Sequence, residues 1–159
     1  MHVTSRAEEH AERIAELASE HGLTVATAES LTSGQVAASL GAAPDATSWF
    51  RGGLVAYHDE VKHGVLGVDP GPVVCDPAAR QMAAGVAGLL GADVAVATSG
   101  AGGPDPQDGQ PPGTVFVAAR NGEGVVSREL HLEGDPAEVV EASKLAALEL
   151  LLEVMESAG

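Results

Sequence analysis

A chain of 159 residues with a hydrophobic fraction of 45% is long enough to bury the core of one globular domain. Its 23 acidic and 8 basic residues leave a formal net charge of −15, so no basic surface is available to bind the phosphate backbone of a nucleic acid. The single cysteine, Cys75, excludes an internal disulfide, and neither a signal-like N-terminus nor an apolar run of transmembrane length is present. We therefore expect a cytoplasmic protein with no nucleic-acid partner and no membrane partner.

The first third of the sequence alternates helix-forming and strand-forming segments. The predicted elements are a helix over 5–21, a strand over 24–29, a helix from Thr32 to about residue 40, and a turn or short helix over 44–48. Ser5 and Glu8 have the spacing of a capping box, and Gly22 follows the last helical turn. These signals fix both ends of the first helix.

The rest of the sequence continues this alternation and adds a late hairpin. The predicted elements are a strand over 52–58, a short helix from Asp59, a helix over 76–90, a strand over 92–100, strands over 114–120 and 125–132, and a final helix from Asp135. Asp76 and Pro77 suit an N-cap and the first helical position, and residues 121–124 give a hairpin turn. Asp135 and Glu138 fill both capping positions of the final helix. This order predicts a three-layer α/β/α sandwich with a mixed, mostly parallel sheet.

Ser30 lies where a predicted strand changes into a predicted helix. Free backbone N–H groups of Thr32, Ser33 and Gly34 would then point toward it, as in an oxyanion hole or a phosphate seat. The alternative is simple helix capping by Ser30 or Thr32, the usual role of these residue types at a helix start. Position alone favours the capping interpretation.

Lys62 is one of only two lysines and is predicted to lie in the first turn of the helix capped by Asp59. The helix macrodipole disfavours a positive charge there, so a partly buried Lys62 should have a lowered pKa and could act as a base toward a serine. Tyr57 ends the preceding strand and could join the same hydrogen-bond network. The alternative is a solvated surface lysine.

The segment from Ser99 to Gly113 is rich in glycine and proline and follows a strand. Ligands collect at strand ends in α/β folds, so this loop is a candidate binding segment. It contains neither the dinucleotide-binding fingerprint nor a P-loop. The histidines, His58 and His63 included, lack the spacing of a metal site, and we expect no metal and no cofactor.

Five segments together resemble the CinA C-terminal domain family, which includes the nicotinamide mononucleotide (NMN) deamidases. They are TAESLTSG (27–34), FRGGLVAYHDEVKHGVLGV (50–68), ATSGAGGPD (97–105), PPGTVFVA (111–118) and LEGD (132–135). The resemblance covers nearly the whole chain in the right order. It implies the same three-layer fold and a single domain over residues 1–159, without the additional N-terminal domain that many relatives carry.

The resemblance also implies an activity and a set of residues. The activity is hydrolysis of the carboxamide of NMN to nicotinic acid mononucleotide and ammonia, without metal or cofactor, in pyridine nucleotide recycling. Ser30 matches the nucleophile, Lys62 the base and Tyr57 the tyrosine beside it. The substrate-binding residues carried over or suggested are Thr32, Ser33, Gly34, Ser99, Gly100, Ala101, Gly102, Gly103 and Arg51. We expect a homo-oligomer, a dimer in the first place.

The final helix departs from the family pattern. Relatives commonly show Gly-Asp-Arg and then Val-Arg where this chain has Gly134-Asp135-Pro136 and Val139-Val140, so an arginine near the substrate is missing. Arg51 is the first candidate for another cation that could replace it. The alternative function is therefore a catalytically impaired nucleotide-binding or interaction domain of the same fold.

Overall fold

The computed structural model describes residues 3–157, which form six helices and five strands. The elements are α1 (Arg6–His21), β1 (Val25–Glu29), α2 (Gln35–Gly41), α3 (Ala46–Trp49), β2 (Phe50–Val55), α4 (Asp59–Gly64), α5 (Asp76–Leu90), β3 (Val94–Gly100), β4 (Thr114–Asn121), β5 (Gly124–His131) and α6 (Pro136–Ser157). Within residues 3–157, no helix is long and apolar enough to cross a membrane.

The strands form a single mixed sheet in the order β2-β1-β3-β4-β5. β1 pairs in parallel with both β2 and β3, whereas β4 is antiparallel to β3 and to β5. Four of the five strands therefore run in the same direction, although the four pairings divide equally between the two types. The predicted fold class is confirmed, and the carboxyl ends of β1, β2 and β3 meet at one edge of the sheet.

The two faces of the sheet bury different side chains. Toward α1 and α6 the central strands present valines, namely Val25, Val94, Val96, Val115 and Val117. Toward α5 they present mainly alanines, namely Ala26, Ala28, Ala95, Ala97 and Ala118, with Phe116. Alternation of side chains along each strand separates the two sets, so helices cover both faces and the sheet is the middle layer.

Local capping signals predicted the longest helices well. Glu8 N–H donates to Ser5 Oγ over 3.1 Å, and Gly22 ends α1 in a left-handed conformation. At α6, Glu138 N–H donates to Asp135 Oδ1 and Asp135 N–H donates to Glu138 Oε1, which is the predicted capping box.

One predicted helix start, that of α2, and two predicted N-caps, those of α4 and α5, were wrong. α2 begins at Gln35 instead of Thr32, because residues 31–34 form a turn in which Ser33 and Gly34 have φ angles of 48° and 96°. α4 is capped by His58 and not by Asp59, since the His58 ring nitrogen Nδ1 accepts the Glu60 N–H. In α5 the N-cap is Cys75, so Asp76 is already the first helical residue.

Candidate active site

A cavity of about 330 Å³ opens at the edge of the sheet where β1, β2 and β3 end. Its walls come from four parts of the chain: the turn after β1, Tyr57 after β2, the end of β3 with the loop that follows it, and the first turns of α6. The lining residues are Ser30, Leu31, Tyr57, Gly100, Gly102, Gly103, Asp105, Pro106, Gln107, Pro136 and Val140. This is the position where open α/β sheets bind ligands.

Ser30 lines this cavity and is only 7% exposed. Its backbone is held on both sides, because its N–H donates to Thr98 Oγ1 over 3.3 Å and its carbonyl accepts the Ser33 N–H over 3.1 Å. Its hydroxyl makes no hydrogen bond to any group in residues 3–157. A fixed backbone with an uncommitted hydroxyl facing a cavity is a suitable arrangement for a nucleophile.

The amino end of α2 is occupied by the protein itself. The carboxylate of Glu29, which is 1% exposed, accepts the N–H groups of Val36 and Ala37 over 2.9 and 3.0 Å. These two amides are therefore not available to a ligand. Of the N–H groups predicted to point toward Ser30, that of Ser33 donates to the Ser30 carbonyl instead. This buried cap also explains why a carboxylate follows an apolar strand in the sequence.

The turn between Ser30 and α2 supplies other donors. Its hydrogen bonds use the N–H groups of Ser33 and Gln35, which donate to the carbonyls of Ser30 and Thr32. The N–H groups of Leu31 and Thr32 have no acceptor in the described part of the chain. They directly follow the serine, which is where an oxyanion hole commonly lies.

Lys62 is fully buried, with 1% of its surface exposed. Its Nζ donates to the backbone carbonyl of Tyr57 over 3.1 Å and lies 3.7 Å from Asp59 Oδ1. Burial lowers the pKa of Lys62 below its ordinary value, and the charges of Asp59 and Asp108 oppose that shift. The predicted direction is right, but its cause is burial, because Lys62 lies in the last turn of α4 and not in the first.

Ser30 and Lys62 are linked indirectly, through the residues that follow β2. Ala56 N–H donates to the Glu29 carbonyl over 2.7 Å, which places Ser30 beside Tyr57, and Tyr57 carries the carbonyl that Lys62 contacts. No hydrogen bond joins Lys62 Nζ to Ser30 Oγ within residues 3–157. The Tyr57 residue is 67% exposed and lines the cavity wall.

A model of the CinA C-terminal domain matches residues 7–155. The chain belongs to this family. A CinA-like protein of Frankia casuarinae is 41% identical over 133 residues, which are 80% of this chain and 31% of that protein. A CinA-like protein of Mycolicibacterium vanbaalenii is 38% identical over 155 residues, 93% of this chain and 36% of that protein. The chain thus spans about a third of the length of these relatives.

Solved CinA superfamily structures have the same fold. The protein from Klebsiella pneumoniae gives a TM-score of 0.89 at 32% identity and covers 95% of this chain and 98% of its own. The protein from Enterobacter cloacae gives 0.91 at 30% identity, with 98% and 95% covered. The family predicted from the sequence resemblance is therefore confirmed by the sequence comparison and by the structural comparison.

The glycine loop of this CinA domain divides into lining and supporting residues. Gly100, Gly102 and Gly103 line the cavity, as expected. Ser99 and Ala101 do not: Ser99 Oγ donates to the Val73 carbonyl over 2.6 Å, and Ala101 N–H donates to the Thr114 carbonyl over 2.9 Å. These two residues hold the loop in place.

Three other residues named from the sequence lie outside the cavity. Thr32 is buried and shares a 2.9 Å hydrogen bond with Thr98 Oγ1, while Ser33 is exposed and Gly34 lies next to Val55. All three belong to the turn after Ser30 and shape it. None of their side chains lines the cavity.

Arg51 does not replace the missing arginine. It lies near the start of β2, four residues before the Val55 that pairs with Glu29, which is roughly 13 Å along the strand. Its Nε donates to the Leu90 carbonyl over 2.9 Å at the opposite end of the sheet. The expectation for Arg51 is therefore wrong. Val140, in contrast, lines the cavity. This agrees with the expectation, drawn from the family pattern of the final helix, that position 140 lies near the substrate.

Several residues of the site were not named from the sequence. Asp105, Pro106 and Gln107 line the cavity, and they fall in the second part of the loop that glycine and proline content had marked. Asp108 holds this loop through its Oδ2, which accepts the N–H groups of Val73 and Val74 over 2.8 and 3.0 Å. The sequence signal that could have identified these residues is the run of acidic and proline residues that follows β3.

Among the described residues, no three His, Cys, Asp or Glu side chains come close enough together to hold a metal ion. The residues that line the cavity supply the hydroxyls of Ser30 and Tyr57, the carboxylate of Asp105, the amide of Gln107 and backbone N–H groups. This set suits recognition of a polar organic molecule.

Proposed function

We propose that this CinA domain is an amidohydrolase that converts NMN to nicotinic acid mononucleotide and ammonia. The observation that carries the proposal is an uncommitted Ser30 hydroxyl in a cavity that Tyr57 also lines, because the Tyr57 carbonyl contacts the fully buried Lys62. Ser30 supplies a nucleophile and Lys62 supplies an amine whose pKa is lowered by burial. Family membership supports the proposal at the coarser level of the fold and its sequence motifs.

In the first step Ser30 Oγ attacks the carboxamide carbon and neutral Lys62 Nζ takes the hydroxyl proton. Nζ must leave the Tyr57 carbonyl for this, and catalytic hydrogen bonds often form only in the substrate complex. The tetrahedral intermediate carries its negative charge on the former amide oxygen. The N–H group of Leu31, which follows Ser30 and belongs to a residue that lines the cavity, is the donor best placed to stabilise it.

The intermediate then collapses with cleavage of the carbon–nitrogen bond. Protonated Lys62 gives its proton to the departing nitrogen, so ammonia leaves and an ester to Ser30 remains. Water attacks this ester with Lys62 again acting as the base. The bond between the acyl carbon and Ser30 Oγ then breaks, Lys62 returns its proton to Ser30 Oγ, and the carboxylic acid product leaves. Each proton that Lys62 accepts is returned within the same half-reaction, so no cofactor is consumed.

The rest of the cavity orients the substrate. We place the carboxamide at Ser30, and the ring and ribose along Gly100, Gly102 and Gly103, where the lack of side chains permits close contact. Tyr57 stands at the wall between Ser30 and solvent, and its ring can cover the pyridine.

The test is to incubate the purified protein with NMN and to quantify ammonia and the nicotinate product together. We expect equal amounts of the two, at a measurable rate. Release of free nicotinamide would instead indicate cleavage of the glycosidic bond. Formation of neither product, with folded protein and a range of NMN concentrations, would contradict the proposal.

A non-catalytic nucleotide-binding domain is the second candidate. Two observations favour it: Lys62 Nζ contacts a carbonyl instead of Ser30, and Val140 lines the wall where relatives commonly have arginine. Binding of NMN by calorimetry without any ammonia release would support this candidate over the enzyme.

A further inference from the structure

The cavity contains no cationic side chain. None of the eight lysine and arginine residues of the chain lines it. Five of them pair with acidic side chains elsewhere: Arg6–Glu149, Arg13–Glu16, Arg80–Asp76, Arg128–Glu153 and Lys144–Glu141. The other three are also committed or distant, since Arg51 contacts the Leu90 carbonyl, Arg120 lines a separate cavity at the other end of the sheet, and Lys62 is buried.

The helix end at the cavity is also closed to an anion. Pro136, the first residue of α6, lines the wall and has no N–H to donate. Asp135 and Glu138 cap this end with their own carboxylates, and Glu138 N–H is already bonded to Asp135. The positive end of the α6 dipole is therefore neutralised by the protein.

The charge that the cavity does carry is negative. Asp105 lines the same wall as Gly102 and Gly103, so the backbone N–H groups of the glycine loop lie beside a carboxylate. The net charge of the whole chain, −15, has the same sign. A phosphate monoester carries about −1.5 to −2 near neutral pH and would be repelled, whereas a pyridinium ring is attracted.

We infer that the site selects a cationic, N-ribosylated pyridine carboxamide without a phosphate, so that the nucleoside is a better substrate than the mononucleotide. This inference rests on the proposed amidohydrolase function and specifies its substrate class. The carboxamide and the pyridinium are common to both molecules, so the chemistry at Ser30 is unchanged. Only the phosphate differs, and the cavity lining, which includes Asp105, Pro136 and Val140, offers it no lysine or arginine side chain.

The experiment compares kcat/KM for ammonia release from nicotinamide riboside and from NMN. We expect the riboside to be preferred by about tenfold or more in the wild type, the range of one charged contact. Val140→Arg places a guanidinium on the cavity wall and should reduce or reverse this preference. Val126→Arg is the matched control, because Val126 is 47% exposed on β5 and the variant has the same net charge without altering the cavity. It should keep the wild-type preference.

Asp105→Asn is an independent variant that does not depend on accommodating a larger side chain. It should lower the riboside preference by weakening attraction for the pyridinium and repulsion of the phosphate. A wild type that prefers NMN, or a preference unchanged in both Val140→Arg and Asp105→Asn, would overturn the inference and leave the amidohydrolase standing. No ammonia from either substrate would overturn the proposed function itself.

Discussion

Burial of Lys62 is the residue-level feature on which the proposed chemistry depends. Lysine is almost never fully buried unless it is paired, and here Nζ has one carbonyl and one carboxylate within 3.7 Å. Desolvation favours the neutral amine, which is the form that can accept a proton. A surface lysine would remain an ammonium near neutral pH and could not serve as a base.

Substitution of Lys62 distinguishes two roles for this residue: a base that accepts a proton, or a fixed positive charge that holds other groups in place. Arginine keeps a positive charge but does not release its proton near neutral pH, so Lys62→Arg should lose activity nearly as completely as Lys62→Met. The measurement is kcat/KM for ammonia release. Lys144→Arg and Lys144→Met are the matched controls, since the other lysine pairs with Glu141 on α6 and should tolerate both changes. An active Lys62→Arg beside an inactive Lys62→Met would identify a fixed positive charge.

The pH dependence of the reaction should report the same group. Only neutral Lys62 accepts the Ser30 proton, so kcat/KM should fall as pH decreases through the Lys62 pKa. Because burial lowers that pKa, this fall should be centred below the ordinary lysine value of 10.5. A profile of kcat/KM against pH checks this. A rate independent of pH over the range where the protein is folded would contradict the role of Lys62.

At the scale of elements, the loop between β3 and β4 forms one wall of the cavity and is anchored along its length. Ser99 and Asp108 both attach it to residues 73–74, and Ala101 attaches it to β4. Gly100 is needed for packing, because a Cβ there would lie 2.8 Å from Val115 Cγ2. Gly102 has no such constraint, since its nearest contacts would be Leu31 atoms at 3.8 Å and beyond.

Gly102→Ala therefore tests the loop without disturbing the fold. The added methyl group should narrow the cavity and lower kcat/KM for NMN by about tenfold, the effect of one methyl-sized misfit. The midpoint of thermal unfolding should not fall, because alanine restricts the unfolded chain more than glycine does. Gly88→Ala on α5, which has no atom within 4 Å of the new Cβ, is the control and should keep wild-type kinetics. Unchanged kinetics for Gly102→Ala would separate the loop from the substrate.

At the scale of the whole molecule, periodicity and capping predicted the layers, the late hairpin, the limits of α1 and the start of α6. Those features depend on neighbours along the chain, such as Ser5 with Glu8 and Asp135 with Glu138. The start of α2 was missed because it depends on the buried carboxylate of Glu29, which accepts the N–H of Val36 seven residues later in the chain. The burial of Lys62 likewise arises from tertiary packing that helical position does not reveal.

The candidate site was predicted in part. Ser30, Tyr57 and the glycines follow strand ends that parallel pairing brings to one edge, so their meeting could be foreseen. Arg51 could have been excluded, because it precedes its strand's centre and must lie toward the other edge. Asp105 and Asp108 could not be placed, since the path of a long loop is set by its contacts with residues 73–74 and not by local pattern.

The central claim is that Ser30 is the nucleophile, and Ser30→Ala tests it most directly. The hydroxyl makes no hydrogen bond in residues 3–157, and the Ser30 N–H bond to Thr98 is retained, so the midpoint of thermal unfolding should match the wild type. Ammonia release should fall by about a thousandfold or more, as expected for loss of a nucleophile. Ser39→Ala on α2, away from the cavity, should keep the wild-type rate. Near-normal turnover by a folded Ser30→Ala protein would contradict the account.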